Sequence, residues 1–348
     1  MTLNLTGDEI LRRFKKVYVV SLNSLVTGGP ESLHQLASEI QKLGFETYVY
    51  YIDTKTINVP EKFRKYKVPV CTKIEDSEEN LIITPEVHTE VFNNLKKTKK
   101  VIWWLSLDYY LQQFPKAYTR AFSERNKIPY YISFPLLLIM GRYKKNFFKF
   151  RKKEKEVVHF YNCEYVNEYL KTKQVPNNMK MYLCGPLSSD FFDYNEKKDK
   201  KDIVIFNPKK DSTFIKKIEA YAQMIKLDVQ FIPIENMTSS ECIDLMKQSK
   251  LYMDFGYFPG PERLPREAVM NYCNIITGLE GSSKNDLDVP IPRKFKFEKK
   301  ESNIPEICKM ISELTNNYEE NLFYFDDYRR KVKEQRFLFK DNIKSFFD

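Results

Sequence analysis

The chain has 348 residues, more than one hydrophobic core usually organises, so two domains are expected. Hydrophobic residues make up 42% of it and aromatic residues 15%, mostly Tyr and Phe, which excludes a disordered chain. The formal net charge of +10 calls for an anionic partner, whether nucleic acid, a lipid surface or a phosphorylated small molecule, and does not choose among them.

The six cysteines, Cys71, Cys163, Cys184, Cys242, Cys273 and Cys308, have no zinc-type or redox-type spacing. Their apolar settings fit buried, reduced thiols and so a cytoplasmic location. The first residues hold no uninterrupted apolar region and no small-residue cleavage site, so no secretory signal is expected. The longest apolar run, Phe134 to Met140, falls far short of the roughly 20 residues that span a bilayer.

In chain order, a polar lead-in with a helix over Gly7 to Phe14 precedes an apolar strand, Val17 to Leu22. A Thr27-Gly28-Gly29-Pro30-Glu31 turn follows, then a helix with Leu33, Leu36, Ala37, Ile40 and Leu43 at helical spacing, ended by Gly44. Thr47 to Ile52 is the next strand, which completes a βαβ unit. A full G-x-G-x-x-G is missing, so the dinucleotide reading is weak even with Asp53 at the second strand's end. Residues 54–79 read as irregular. Leu81 to Thr84 is a strand, Pro85-Glu86 opens a helix to about Leu95, and Lys100 to Leu105 is another strand. Pro129 to Phe134 reads as one more, and Val157 to Asn162, a helix over Glu164 to Lys173, and Met181 to Cys184 complete the first half.

Residues 188–201 are polar and charge-dense, as a linker would be. Strands at Asp202 to Phe206, Val229 to Ile232, Leu251 to Phe255 and Asn274 to Thr277 then alternate with helices at Phe214 to Ile225, Ser239 to Gln248 and Glu267 to Tyr272. Helices over Ile304 to Leu314 and Tyr324 to Phe347 close the chain, the last long and aromatic. The expected fold class is α/β with two Rossmann-like, doubly wound domains facing a cleft. The expected domains are 1–187, a linker over 188–201, 202–322, and a C-terminal helix over 323–348 that returns to the first domain.

The segment Leu251 to Gly278 is strand, glycine–proline loop, helix and strand. Ligands of doubly wound sheets sit at the carboxyl ends of strands, and a helix start off a strand end favours phosphate. Arg263 and Arg266 add cations there, and Glu262 and Glu267 can accept bonds from hydroxyls. The pair Lys209-Lys210, right after Asn207 at another strand end, completes a cationic pocket for a diphosphate. Read blandly, the same residues are a strand-to-helix turn with solvated cations. His88 and Asp108, each just after a strand, are the candidates for a general base, or equally a turn residue and a cap. His34 and His159 read as structural. Asp286-Leu287-Asp288 reads as an ordinary turn, because two carboxylates alone make a poor hard-metal site.

The Thr-Gly-Gly-Pro-Glu turn resembles the acceptor-side glycine loop of bacterial glycosyltransferases with two Rossmann domains, the GT-B fold. Asp254 to Gly278, with PGPERLPREA followed by IITG, resembles the donor-binding helix and strand of the surface-polysaccharide branch of family 4-like enzymes. The resemblance implies a nucleotide-sugar donor, a glycan or lipid-linked acceptor, no metal or other cofactor, and ribose contact by Glu267. Donor contacts are expected from Gly28, Gly29, Asn207, Lys209, Lys210, Gly260, Glu262, Arg263 and Arg266, with the charge of Lys209, Lys210, Arg263 and Arg266 easing departure of the diphosphate and Lys210 and Arg266 as the catalytic cations. The family's earlier glutamate, eight positions before Glu267, falls here on Pro259, which leaves that sugar contact to the backbone of Pro259 to Pro261 or to Glu262.

Met140 to Lys155 interleaves basic and aromatic residues. Lys144, Lys145, Phe147, Phe148, Arg151 and Lys152 suit an anionic membrane surface such as the inner face of the plasma membrane. The same composition suits single-stranded nucleic acid or a solvated loop. No zinc, RRM or helix-turn-helix pattern supports nucleic acid beyond charge. A protein of the same fold that binds without catalysing is the nearer rival to a transferase.

Overall fold

The computed structural model describes residues 14–55, 57–150, 156–192, 199–210 and 212–348. The expected helix over Gly7 to Phe14 therefore lies outside them except for Phe14, as do Arg151, Lys152 and residues 193–198 of the expected linker. The chain divides into two compact units: residues 1–185 with 338–348, and residues 186–337.

The first unit is built on seven strands: β1 (Lys16–Ser21), β2 (Glu46–Tyr51), β3 (Val70–Cys71), β4 (Asn80–Pro85), β5 (Lys99–Trp104), β6 (Val158–Tyr161) and β7 (Lys180–Tyr182). They lie in the order β3-β2-β1-β4-β5-β6-β7, with every neighbouring pair parallel. Alternation along the strands sends side chains to two faces. Val17, Val19 and Trp103 join one core with Leu33, Leu36 and Ile40 of α1 (Gly28–Lys42). Tyr18, Val20 and Ile82 face the other side, and Trp104 packs there with Tyr110 and Val166. Both buried indoles satisfy their N–H, Trp103 to the Leu183 carbonyl (2.8 Å) and Trp104 to His159 Nδ1 (3.0 Å).

Among the described residues, four more helices belong to this unit: α2 (Leu107–Leu111), α3 (Pro115–Asn126), α4 (Tyr130–Ile139) and α5 (Glu164–Thr172). Three expectations are corrected. Pro129 to Phe134 is not a strand but the start of α4. The helix expected from Pro85-Glu86 to Leu95 is only a 3-10 stretch, Thr89–Asn94. The Glu86 carboxylate is instead committed to the backbone N–H groups of Leu105 (2.8 Å) and Ser106 (3.2 Å). The irregular stretch 54–79 contains the edge strand β3.

The second unit holds β8 (Lys201–Phe206), β9 (Gln230–Pro233), β10 (Ser249–Asp254) and β11 (Asn274–Thr277), parallel in the order β11-β10-β8-β9. Around them run α6 (Ser212–Met224), α7 (Ser239–Gln248), α8 (Arg263–Met270), α9 (Ile304–Asn316) and α10 (Tyr318–Asn321). α7 opens on a capping box, with Thr238 and Glu241 bonding each other's backbone N–H, as the Thr/Ser start predicts. Their apolar sides form one core with Val204, Ile205, Tyr252 and Ile276. The last helix, α11 (Asp326–Phe347), gives Tyr328 and Val332 to this core. Its later residues Phe339, Ile343 and Phe347 belong to the core of the first unit.

Each sheet has one place where the winding direction reverses. In the first unit it lies between β1 and β4, and in the second between β8 and β10. The loops leaving such a strand pair turn to opposite sides and open a crevice at the carboxyl edge, where doubly wound sheets take their ligands.

Candidate functional site

In the second unit, the loop after β8 and the loop after β10 meet at that edge. Asn207 shapes the first: its side-chain oxygen accepts from the Lys209 N–H (3.0 Å) and its carbonyl from the Lys210 N–H (3.2 Å). Lys209 is exposed, while Lys210 reaches across to the second loop. The Lys210 ammonium stands 2.5 Å from the Glu262 carboxylate, donates to the Tyr257 carbonyl (3.2 Å) and lies 4.8 Å from the Phe258 ring centre. Gly256 makes this approach possible. A Cβ there would meet Lys210 Cβ at 2.5 Å.

Burial pushes the Glu262 carboxyl above the usual carboxylate range, and the Lys210 charge pulls it partly back. The same two effects act on Asp254 at the end of β10. Asp254 accepts from the Tyr252 hydroxyl (2.8 Å) and from the Gly256 N–H (2.8 Å), which holds the loop's first turn. One lysine thus faces two carboxyl groups whose charge is costly. An incoming anion would compete with these carboxylates for the Lys210 ammonium.

α8 begins at Arg263, with Pro265 in its first turn, where its missing N–H costs nothing. Arg263 Nε donates to Glu267 (3.1 Å), an i,i+4 pair with Glu267 buried. Arg266 is buried too. Its guanidinium donates to the carbonyls of Pro261 and Glu262 (3.1 Å each) and to Gln335 Oε1 of α11 (3.0 Å). It ties the loop, the helix start and the last helix together. Gly260 presents its carbonyl to the Ser282 hydroxyl (2.7 Å), and Gly281, at φ 67°, brings the backbone against the Phe258 carbonyl. Asn207, Lys210, Gly260, Glu262, Arg263, Arg266 and Glu267 therefore share one edge of this unit.

Sequence reasoning missed Asp254, Tyr252, Gln335 and Ser282. Asp254 carried a local signal, an acid closing an apolar strand just before glycine. Gln335 carried none, because only folding brings α11 to α8.

In the first unit, Asp53 accepts from the N–H groups of Asn23 and Ser24 (2.9 Å each), which pins the loop after β1. Burial would raise the Asp53 carboxyl, but those bonds win and hold it below its ordinary value. Gly28 and Gly29 form the first turn of α1 rather than a free loop, and a Cβ at Gly29 would meet only ordinary contact. His88 follows β4, with Nδ1 at 3.6 Å from Glu90, whose carboxylate also pairs with Lys144 (2.8 Å). Asp108 is half-buried at the second position of α2. His34 bonds the Pro30 carbonyl (2.7 Å) and the Tyr51 hydroxyl (2.9 Å), a structural histidine as expected.

Lys145 is exposed, and Lys144 donates to the Val87 carbonyl (2.6 Å). Phe147 and Phe148, expected as surface anchors, are 8% and 5% exposed and pack in the core around Trp104. In the second unit, Asp286 pairs with the buried Lys296 (2.6 Å).

No protein-family model matches the chain, and no curated protein matches its sequence. Solved structures match its architecture. Anabaena HepE in complex with UDP-glucose aligns over 95% of this chain and 98% of its own, at 11% identity and a TM-score of 0.58. WaaG, a glycosyltransferase involved in lipopolysaccharide biosynthesis, aligns over 96% and 98%, at 11% identity and 0.52. Sucrose-phosphate synthase from Thermosynechococcus elongatus aligns over 96% and 95%, at 10% identity and 0.51. The chain thus has the α/β fold of two Rossmann-like domains, GT-B, that these glycosyltransferases share.

Proposed function

We propose that the protein is a glycosyltransferase of the hexosyltransferase kind. It moves a sugar from a nucleoside-diphosphate donor to a glycan or lipid-linked acceptor in bacterial surface polysaccharide synthesis, in the cytoplasm, without a metal. The observation that carries this reading is Lys210 reaching across the β8/β10 reversal to Glu262. HepE, of similar fold, was crystallised with UDP-glucose.

Breaking the sugar–diphosphate bond leaves negative charge on the leaving group, and a fixed cation beside it lowers the barrier. Lys210 supplies that charge in this reading, with Lys209 and Arg263 adding to the field. Arg266 acts through the backbone of Pro261 and Glu262, which it holds. Glu267 takes a ribose hydroxyl, and Glu262 takes a hydroxyl of the donor once Lys210 turns to the phosphates. Gly28 and Gly29, at the first turn of α1, offer backbone N–H groups to the donor in this reading. His88, with Glu90 beside it, or Asp108 takes the proton of the acceptor hydroxyl.

The test is release of nucleoside diphosphate from a panel of nucleotide sugars, with and without EDTA. Turnover that survives EDTA and falls about 100-fold or more in Lys210→Ala supports the reading. Wild-type turnover in Lys210→Ala contradicts it. Pro259, in the place of the family's glutamate, favours a second reading, a binding subunit of the same fold. Donor binding with no release and no transfer would select that one.

A further inference from the structure

We propose that α4 is a membrane-docking helix that lies in the interface of an anionic bilayer. The helix Tyr130–Ile139 reads YYISFPLLLI and holds no charged side chain. Its buried positions are Ser133 and Leu137, one turn apart. Ser133 Oγ donates to the Ile128 carbonyl (3.3 Å), and the Tyr143 hydroxyl bonds Thr119 Oγ1 (2.7 Å) and the Phe134 carbonyl (3.2 Å). The Ser133 and Thr119 ties are thus part-buried, on the side of the helix that faces the protein. Outside, Tyr131 is 76% exposed, Leu138 60% and Ile139 85%, with Ile132, Leu136 and Met140 exposed beside them. This inverts the usual amphipathic arrangement, in which the apolar stripe faces the core. A helix that keeps its apolar side in water is arranged for another apolar phase.

Charge identifies that phase. Arg125 and Lys127 stand exposed before the helix, and Arg142 and Lys145 after it. From Pro115 to Phe150 there are eight basic residues against one acid, Glu124. An apolar centre flanked by cations at both ends fits acyl chains below anionic headgroups. A second copy fits poorly, since face-to-face pairing would set basic ends against basic ends. Ten residues rise about 15 Å, half of the roughly 30 Å hydrocarbon core. No helix among the described residues is long and apolar enough to cross a membrane. The helix therefore lies on the bilayer and is held by insertion of Tyr131, Leu138 and Ile139. Phe147 and Phe148 take no part, because they are core residues.

Flotation with vesicles tests this independently of the donor site, because it reads no turnover. The full chain is mixed with vesicles of equimolar phosphatidylglycerol and phosphatidylcholine, or of phosphatidylcholine alone. Wild type is expected to float with the anionic vesicles and at least about tenfold less with the neutral ones. Tyr131→Ser/Leu138→Gln/Ile139→Gln, folded by circular dichroism, is expected to bind anionic vesicles at least about tenfold more weakly. Arg142→Glu/Lys145→Glu weakens binding in the same direction. An Ile139→Trp variant shifts its emission to the blue on adding anionic vesicles. Undiminished flotation of the triple variant overturns the proposal. So does a wild type that binds RNA or forms dimers through α4 but floats with neither vesicle.

Discussion

Lys210 and Glu262 meet at 2.5 Å, one from the loop after β8 and the other from the loop after β10. The contact spans the point where the sheet of the second unit reverses its winding. Removing Lys210 alone would leave a carboxylate facing the diphosphate. Lys210→Ala is therefore expected to weaken nucleoside-diphosphate binding about 10- to 100-fold. The double variant Lys210→Ala/Glu262→Ala is expected to bind several-fold better than Lys210→Ala. Calorimetric titration measures both, and a double variant weaker than the single one would show that Glu262 assists the phosphates rather than opposing them.

Arg266 is a stability residue as well as a neighbour of the site. Its charged group is buried against two carbonyls and Gln335. Arg266→Ala leaves these acceptors without a donor and is expected to cost about 2–4 kcal/mol. Urea denaturation reads this directly, and a loss below about 0.5 kcal/mol would mean that solvent replaces the guanidinium freely.

Two glycines in the left-handed region should respond differently to alanine. At Gly281 (φ 67°) a Cβ would lie 2.1 Å from the Phe258 carbonyl oxygen, so Gly281→Ala must open the Phe258–Gly281 bridge. A cost of about 3 kcal/mol or more is expected. At Gly141 (φ 63°) nothing lies within 4 Å, and only the backbone preference of about 1 kcal/mol is lost. Equal costs in thermal denaturation would refute this difference.

His159 gives the fold an acid-sensitive centre. Burial pushes its imidazole down to about 4, and Trp104 donates to its unprotonated Nδ1. The unfolded chain binds this proton first, so stability falls as pH drops from about 6.5 towards 4, by up to about 3 kcal/mol. Buried Glu86, raised to about 7, works in the opposite sense: its contribution is present at low pH and lost as pH rises towards 7. The comparison of wild type with His159→Gln isolates the histidine. The variant's denaturation midpoint should fall less between pH 7 and pH 4.5, and parallel curves would exclude this origin.

Much of the architecture was legible because strand and helix periods alternate cleanly, and Val17, Val19, Leu33 and Leu36 sit where those periods put them. α4 was not. Its outer side is apolar, so its sequence lacks the helical alternation, and its aromatic and branched residues imitate a strand. Phe147 and Phe148 looked like surface anchors because lysines surround them, yet the chain turns both rings inward. At the candidate site, the residue types and their strand-end positions were visible. The partners were not: that Lys210 faces Glu262 depends on strand order, and that Arg266 meets Gln335 depends on where α11 lies. Neither relation has a local signature.

The most direct measurement is the thermal shift produced by a panel of nucleoside diphosphates on the wild type and on Lys209→Ala/Lys210→Ala. At about 100 times its Kd, a ligand of the folded state adds about 2.7 kcal/mol of stability, or several degrees in Tm. At least one diphosphate is expected to raise the wild-type Tm by that amount, and the double variant should lose the shift. If no diphosphate shifts the wild type, or if the variant shifts equally, the edge formed by Lys210, Glu262 and α8 is not a diphosphate site.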